Sequence, residues 1–423
     1  MSKKIKILII TYYWPPAGGS GVQRWLKFVK YLQDFGIEPV VYCPDNPNYE
    51  VTDDSLLNEI PKGITVLIQP IFEPNTLLKK KKVATASVSS NPSLIQKVMQ
   101  YIRGNYFIPD ARKYWVKPSV KFLKDYLKNN TIDAIISTGP PHSMHLIAMQ
   151  LKQELGIKWI ADFRDPMANL FYNDTLLLTD KSKKKLQQLE REILKKADKV
   201  ITVSSQIQQE FQKVRKDIEV ITNGFDDEVS NDQNTQLDTK FTLSHIGLLP
   251  AQSNPLVLWK VLRELIEINK EFADDLQINL VGNVSQKVIE NISKFELKTF
   301  VELQGYVPHS KAIELQKQSQ VLLLLIPNVN GAKGIITGKV FEYLTSKRPI
   351  LAVAPTDGDL ANILKTTNSG VAIDFDDADK LKSTILDFYK KYKEGNLQSH
   401  CIGIQKYHRK NLTQQLTQMI KEI

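Results

Sequence analysis

Residues 321–353 read VLLLLIPNVNGAKGIITGKVFEYLTSKRPILAV. The run Val321–Ile326 is apolar without a break, as suits a parallel strand covered on both faces. A glycine-bearing turn follows, then a helix over Lys339–Ser346, and Pro349–Val353 reads as a second strand. Strand, turn, helix and strand make one βαβ step of a wound sheet. Nothing here approaches the ~20 apolar residues needed to cross a bilayer.

The same alternation extends in both directions. Downstream come strand Gly370–Ile373 and helix Asp379–Tyr392. Upstream, strands are expected at Phe241–Ile246, Gln277–Val281 and Phe300–Gln304, with a helix after Pro255 and another over Lys311–Gln318. Before the polar, aperiodic stretch 226–240 (DDEVSNDQNTQLDTK) lies an independent series. It has strands at Ile5–Thr11, Pro39–Cys43, Ala134–Ser137, Lys158–Ala161, Lys199–Val203 and Glu219–Thr222, with helices at Val22–Gln33, Ser143–Glu154 and Lys183–Lys195. A chain of 423 residues is too long for one core. The expectation is an α/β protein of two Rossmann-like doubly wound domains, residues 1–230 and 231–405. Leu412, Leu416, Met419 and Ile420 share one face of a closing helix over 406–423, which would pack back on the first domain. Ligands of such sheets bind beyond the carboxyl ends of the strands, which points to a cleft between facing domains.

Composition narrows the setting. Cys43 and Cys401 are the only cysteines, so no disulfide framework is expected and a reducing cytoplasm fits. The N-terminus starts basic, but its apolar run is too short for a signal peptide and ends at aromatics and two prolines. The net charge of +10 is localised: twelve Lys and Arg between Lys79 and Lys128 face only Asp110 and Asp125. Aromatic residues are interleaved there, and Leu94, Ile95, Val98, Met99 and Ile102 fall on one helical face, as do Val116, Val120, Leu123 and Leu127. Two readings stand, core helices with solvated lysines or a peripheral contact with an anionic membrane surface. No nucleic-acid motif accompanies the charge, so nucleic acid is not an expected partner.

The chemistry concentrates in the opening stretch. A lysine in the first turn of a helix opposes the helix dipole, and makes sense where an anion sits at that helix end. Thr337, Gly338 and Lys339 therefore read as a diphosphate site built on free backbone N–H groups. Glu342, one turn on, can accept from the paired hydroxyls of a ribose. In the first domain, Gly19 and Gly21 lie in Gly18-Gly19-Ser20-Gly21, where backbone can approach a ligand closely, and Arg24 follows in the first helical turn. His142 stands where strand meets helix in Gly139-Pro140-Pro141-His142, and Asp165 is a candidate for acceptor hydroxyls. The glycine loop is not G-x-G-x-x-G, and Pro-Val-Val-Tyr-Cys does not end on the acid expected at an NAD ribose, which disfavours a dehydrogenase. Gly334-x-x-x-Gly338-Lys339-Val340 is one residue short of a Walker A loop and lacks its Ser or Thr, which disfavours an ATPase. Asp377-Ala-Asp379 has the letters of a metal motif, but it precedes a helix, where Asp is a routine cap. No zinc spacing occurs, and no metal or cofactor is expected.

Gly338-Lys339-Val-Phe-Glu342-Tyr-Leu with Arg348-Pro349-Ile-Leu-Ala resembles the donor-site signature of glycosyltransferase family 4. Tyr12-Tyr-Trp-Pro-Pro-Ala-Gly18-Gly19-Ser20-Gly21, Asp162-Phe-Arg164-Asp165-Pro166, Ala197-Asp198-x-Val-Ile-Thr-Val-Ser204 and Ile221-Thr-Asn223-Gly224-Phe-Asp226 resemble other segments of the family in matching order. The resemblance implies a GT-B fold, a retaining hexosyl transfer without a catalytic metal, and a UDP- or GDP-sugar donor. It further implies a glycan or lipid-linked acceptor of surface polysaccharide assembly. Lys339 and His142 would be catalytic, with Glu342, Gly338, Thr337, Gly19, Gly21 and Asn223 at the donor, and Asp165 and Arg24 on the acceptor side. Two positions depart from the family pattern. Gly334 stands where many members carry a Glu, and the loop Leu248–Pro255 holds no Arg or Lys. The rival readings are a sugar-nucleotide epimerase of the same fold and a non-catalytic sugar-nucleotide-binding subunit.

Overall fold

A computed structural model describes residues 4–49, 51–73, 94–169, 173, 176–226 and 235–423. The chain divides into two compact units, one of Met1–Asn223 with Arg409–Ile423 and one of Gly224–His408. The passage into the second unit lies before residue 230 because the second unit already holds Phe225, whose N–H donates to the Tyr407 carbonyl. The same pairing carries the second unit to His408, past residue 405. Much of the polar stretch 226–240 falls outside the described residues.

In the first unit the strands are β1 (Ile5–Ile10), β2 (Ile37–Asp45), β3 (Thr65–Pro70), β4 (Ala134–Gly139), β5 (Lys158–Phe163), β6 (Lys199–Thr202) and β7 (Ile218–Val220). They form one sheet in the order β3-β2-β1-β4-β5-β6-β7, and every pairing is parallel. Alternation along β1 sends Leu8 and Ile10 into one core and Ile7 and Ile9 into the other. The helix Arg409–Lys421 completes the second of these cores with Leu412, Leu416, Met419 and Ile420, packed against helix Ser20–Leu32. Strand β3 has no counterpart in the sequence reading. It lies at the sheet edge with Thr65, Ile68 and Pro70 exposed, and its apolar run is only Val66–Ile68.

The second unit holds β8 (Phe241–Ile246), β9 (Leu276–Val281), β10 (Val301–Gln304), β11 (Val321–Leu325), β12 (Ile350–Val353) and β13 (Gly370–Ile373). They pair in parallel in the order β10-β9-β8-β11-β12-β13. Along β11, Leu323 and Leu325 face one core, Leu322 and Leu324 the other. Both orders reverse direction once, between β1 and β4 and between β8 and β11, and ligands bind at such switch points.

The two amphipathic helices of the basic segment have different fates. Lys113–Leu127 buries Trp115, Val120 and Leu123 in the first unit's core. Leu94–Tyr106 leaves its apolar face in solvent: Leu94 is 81% exposed, Ile95 77% and Val98 57%, with Met99 and Ile102 also exposed. Lys79–Lys82 lie outside the described residues. Among the described residues no helix is long and apolar enough to cross a membrane.

Candidate functional site

In the second unit, β8 ends at Gly247, whose φ of 118° suits glycine alone. A Cβ there would meet Lys339 Cε at 2.6 Å. Gly282, at the end of β9, would bring a Cβ within 2.8 Å of the Gly247 carbonyl oxygen. Two glycines therefore let adjacent strand ends close up and let the lysine stem lie across them.

Lys339 reaches over Gly247 to donate to His245 Nε2 at 2.9 Å and to the Leu248 carbonyl at 3.2 Å. The ammonium thus stands at the head of the loop that carries no basic residue of its own. Burial lowers the Lys339 pKa to about 8, opposed by the nearby Glu342 carboxylate. The helix Gly338–Thr345 begins at Thr337, whose side chain makes no capping bond and whose buried hydroxyl has no partner among the described residues. Uncapped N–H groups and a lysine facing the strand ends form an anion-binding arrangement. Glu342 is held from both sides, with Gln316 Nε2 donating to Oε2 at 3.0 Å and His309 Nε2 3.3 Å from Oε1. His245, His309, Gln316 and Gly247 had no signal in the sequence, because strands or helices far along the chain deliver them.

In the first unit, His142 lies at the carboxyl end of β4, 5% exposed, with neither ring nitrogen partnered among the described residues. Its ring centroid is 5.7 Å from that of His145. Gly139 passes so close to both that a Cβ would meet a nitrogen of each at 2.7 Å. Burial, with the charge of Arg164 and the neighbouring His145, holds the His142 pKa well below its ordinary value. Burial lowers His145 to about 3. Ser137 Oγ contacts His145 Nδ1 at 2.8 Å and accepts from Trp159 Nε1 at 2.8 Å. Arg164 donates to the carbonyls of Gly21 and Pro140, so it ties the glycine loop to the histidine turn. Next to it, burial raises Asp165 to about 6, opposed by Arg164. Gly21 packs close to Tyr13 and Arg164, whereas Gly19 (φ 80°) has open space around it.

Arg24 corrects the sequence reading. Its guanidinium is buried and bidentate on Asp162, at 2.9 and 3.2 Å, and also donates to the Thr222 carbonyl and to Asn223 Oδ1. Trp25 and Thr138 donate to the same carboxylate. The guanidinium is thus engaged inside the first unit, where it ties strand ends together, and Asn223 is one of its anchors. At Asp377 the side chain accepts from the Lys380 N–H and caps helix Ala378–Lys393.

Two doubly wound parallel sheets in one chain match the GT-B class. The model of Glycosyltransferase Family 4 matches residues 19–229, and over that stretch the chain is glycosyltransferase family 4-like. Solved structures agree in fold across the whole length. Sucrose-phosphate synthase from Thermosynechococcus elongatus is 13% identical, with 99% of this chain and 98% of that one covered at a TM-score of 0.63. Anabaena HepE in complex with UDP-glucose is 12% identical, with 99% and 100% covered and a TM-score of 0.63. A putative UDP-N-acetylglucosamine 2-epimerase from Listeria monocytogenes is 12% identical, with 99% and 96% covered and a TM-score of 0.59. No curated protein matches the chain in sequence.

Proposed function

We propose that this chain moves a hexosyl unit, with retention, from a UDP- or GDP-linked sugar to a glycan or lipid-linked acceptor in cytoplasmic surface-polysaccharide assembly. The observation that carries the reading is Lys339, an incompletely desolvated cation laid over the end of β8 beside an uncapped helix N-terminus. Departure of the diphosphate develops negative charge there, and fixed donors at that point lower the barrier. Glu342, steadied by Gln316, is the ribose acceptor in this reading. Lys339 and the helix amides supply the countercharge, so we assign no role to a metal. The UDP-glucose complex of the Anabaena neighbour favours UDP as the first donor to try.

His142 and Asp165 are the first unit's contribution. A neutral, buried imidazole with open ring nitrogens can accept or donate to a sugar hydroxyl, and Asp165 can orient an acceptor. The exposed apolar face of Leu94–Tyr106, with Lys97 and Arg103 and no acidic residue, supports an acceptor presented at an anionic membrane surface.

The test is incubation of the purified protein with UDP- and GDP-sugars and membrane extracts. Release of nucleoside diphosphate together with a glycosylated product is expected. A sugar-nucleotide isomer would establish the epimerase reading, and binding without turnover the non-catalytic one. Lys339→Ala should reduce turnover by about 10²–10³-fold with its melting temperature retained. Turnover equal to the unaltered protein would remove Lys339 from the mechanism.

A further inference from the structure

The partner that Lys339 has chosen is unusual for a half-buried cation. Buried lysines are ordinarily matched by a carboxylate, since an unpaired buried charge is costly. Here the nearest acceptor is an imidazole, His245, 2% exposed and inside β8. Its Nδ1 lies 3.2 Å from the Leu323 carbonyl on β11. A ring nitrogen approaches a carbonyl as a donor, so Nδ1 carries the proton and Nε2 offers a lone pair to the ammonium. The Nε2 contact with the Leu248 carbonyl at 3.3 Å is then not a hydrogen bond, because Leu248 accepts from Lys339 instead. Burial, reinforced by the charge of Lys339, lowers the His245 pKa to about 3, so the ring is uncharged at neutral pH.

His245 also spans the switch point itself. The β8–β11 pairing is limited to Val321 with Leu243 and Leu322 with Ser244. Beyond Ser244 the two strands are joined by the imidazole bonded to Leu323. The ring is thus fixed on one side by the sheet and presents its lone pair on the other.

We propose that His245 is a positioning residue for Lys339, an uncharged acceptor that fixes the ammonium over Gly247 without adding a second negative charge to that of the nearby Glu342. The inference rests on the reading of Lys339 as the diphosphate lysine. A carboxylate at 245 would hold the lysine as firmly but cancel its charge and repel the anion. An apolar side chain would leave the charge but not the aim, and would make the ammonium harder to keep protonated.

The pH dependence follows from the same geometry. A diphosphate binds the protonated lysine, which is populated below about 8 and lost above it. Removing the His245 acceptor destabilises the ammonium and moves that loss to lower pH.

The experiment is calorimetric titration of UDP and, in parallel, GDP into the full chain and its variants between pH 6.5 and 9.5, with melting temperatures as the check of folding. His245→Leu should weaken the diphosphate by about ten- to a hundredfold at neutral pH, in line with losing one hydrogen bond to a charged group, and lower the pH at which binding falls away. His245→Gln, which keeps an uncharged acceptor, should restore most of the affinity. His245→Glu should abolish binding while retaining the fold. Wild-type affinity and an unmoved pH midpoint in His245→Leu, with affinity lost in Lys339→Ala, would make His245 a core residue and overturn the proposal. Equal binding by Lys339→Ala and the unaltered protein, or binding of neither nucleotide by the unaltered protein, would instead strike the donor-site reading beneath it.

Discussion

Arg24 and Lys339 occupy comparable places in the two units. Each sits near the start of a helix that follows one strand of the central switch pair, and each opposes the dipole of its own helix. Their partners separate them. Arg24 is gripped by Asp162, a full countercharge, and its side chain is 2% exposed beside a carboxylate at 0%. Lys339 donates instead to an uncharged ring and a carbonyl, with the Glu342 carboxylate nearby. A basic residue at a helix start can be cement or bait, and the charge of its nearest acceptor tells which.

The largest test of this contrast is Asp162→Ala. It leaves a buried guanidinium uncompensated and strips Trp25 and Thr138 of their acceptor, so a loss of about 3–5 kcal/mol is expected, read by urea unfolding. Lys339→Ala in the same assay should shift stability by less than about 1 kcal/mol. Similar losses at the two sites would erase the distinction.

Glu342→Gln asks whether the open charge at Lys339 belongs to a nucleotide site. Donor affinity should fall by about 1.5–3 kcal/mol, and the difference should vanish for a nucleoside diphosphate lacking both ribose hydroxyls. A penalty independent of those hydroxyls would assign Glu342 to tuning Lys339 rather than to holding ribose.

The smallest effect concerns the basic segment, where charge is again either matched or open. Lys124 and Lys128 are paired with Glu154 and Asp125, whereas Lys97 and Arg103 share helix Leu94–Tyr106 with no acid. Reversing Lys97 and Arg103 to Glu should weaken binding to anionic vesicles by about 1 kcal/mol for each charge removed from the surface. Reversing Lys124 and Lys128 should do less. Equal effects, or equal binding to neutral vesicles, would return Leu94–Tyr106 to the status of an ordinary exposed helix.

Much of the fold was legible because buried parallel strands write themselves as apolar runs. Ile5–Ile10 and Val321–Leu325 emerge within a residue of expectation. The edge strand β3 did not, since half its residues face solvent and its apolar run is only three residues long. At the site, Lys339 and Glu342 were visible because one helix carries both at fixed spacing. His245 was not: its meaning depends on β8 lying beside β11, 78 residues away along the chain. Arg24 was misread for the same reason, since Asp162 reaches it across 138 residues. Helical periodicity shows that Leu94–Ile102 has an apolar face, but not whether the protein covers that face itself.

The excursion of the chain bears on its birth. Residues 409–423 belong to the first unit, and Leu412, Leu416, Met419 and Ile420 fill a core whose other members lie at residues 5–221. The second unit is therefore complete in sequence before the last part of the first unit's core, Leu412 and its neighbours, has been made. The first unit, begun earliest, is sealed last. A released chain truncated after His408 should accordingly display a protease-resistant second unit beside a first unit that is still cut readily.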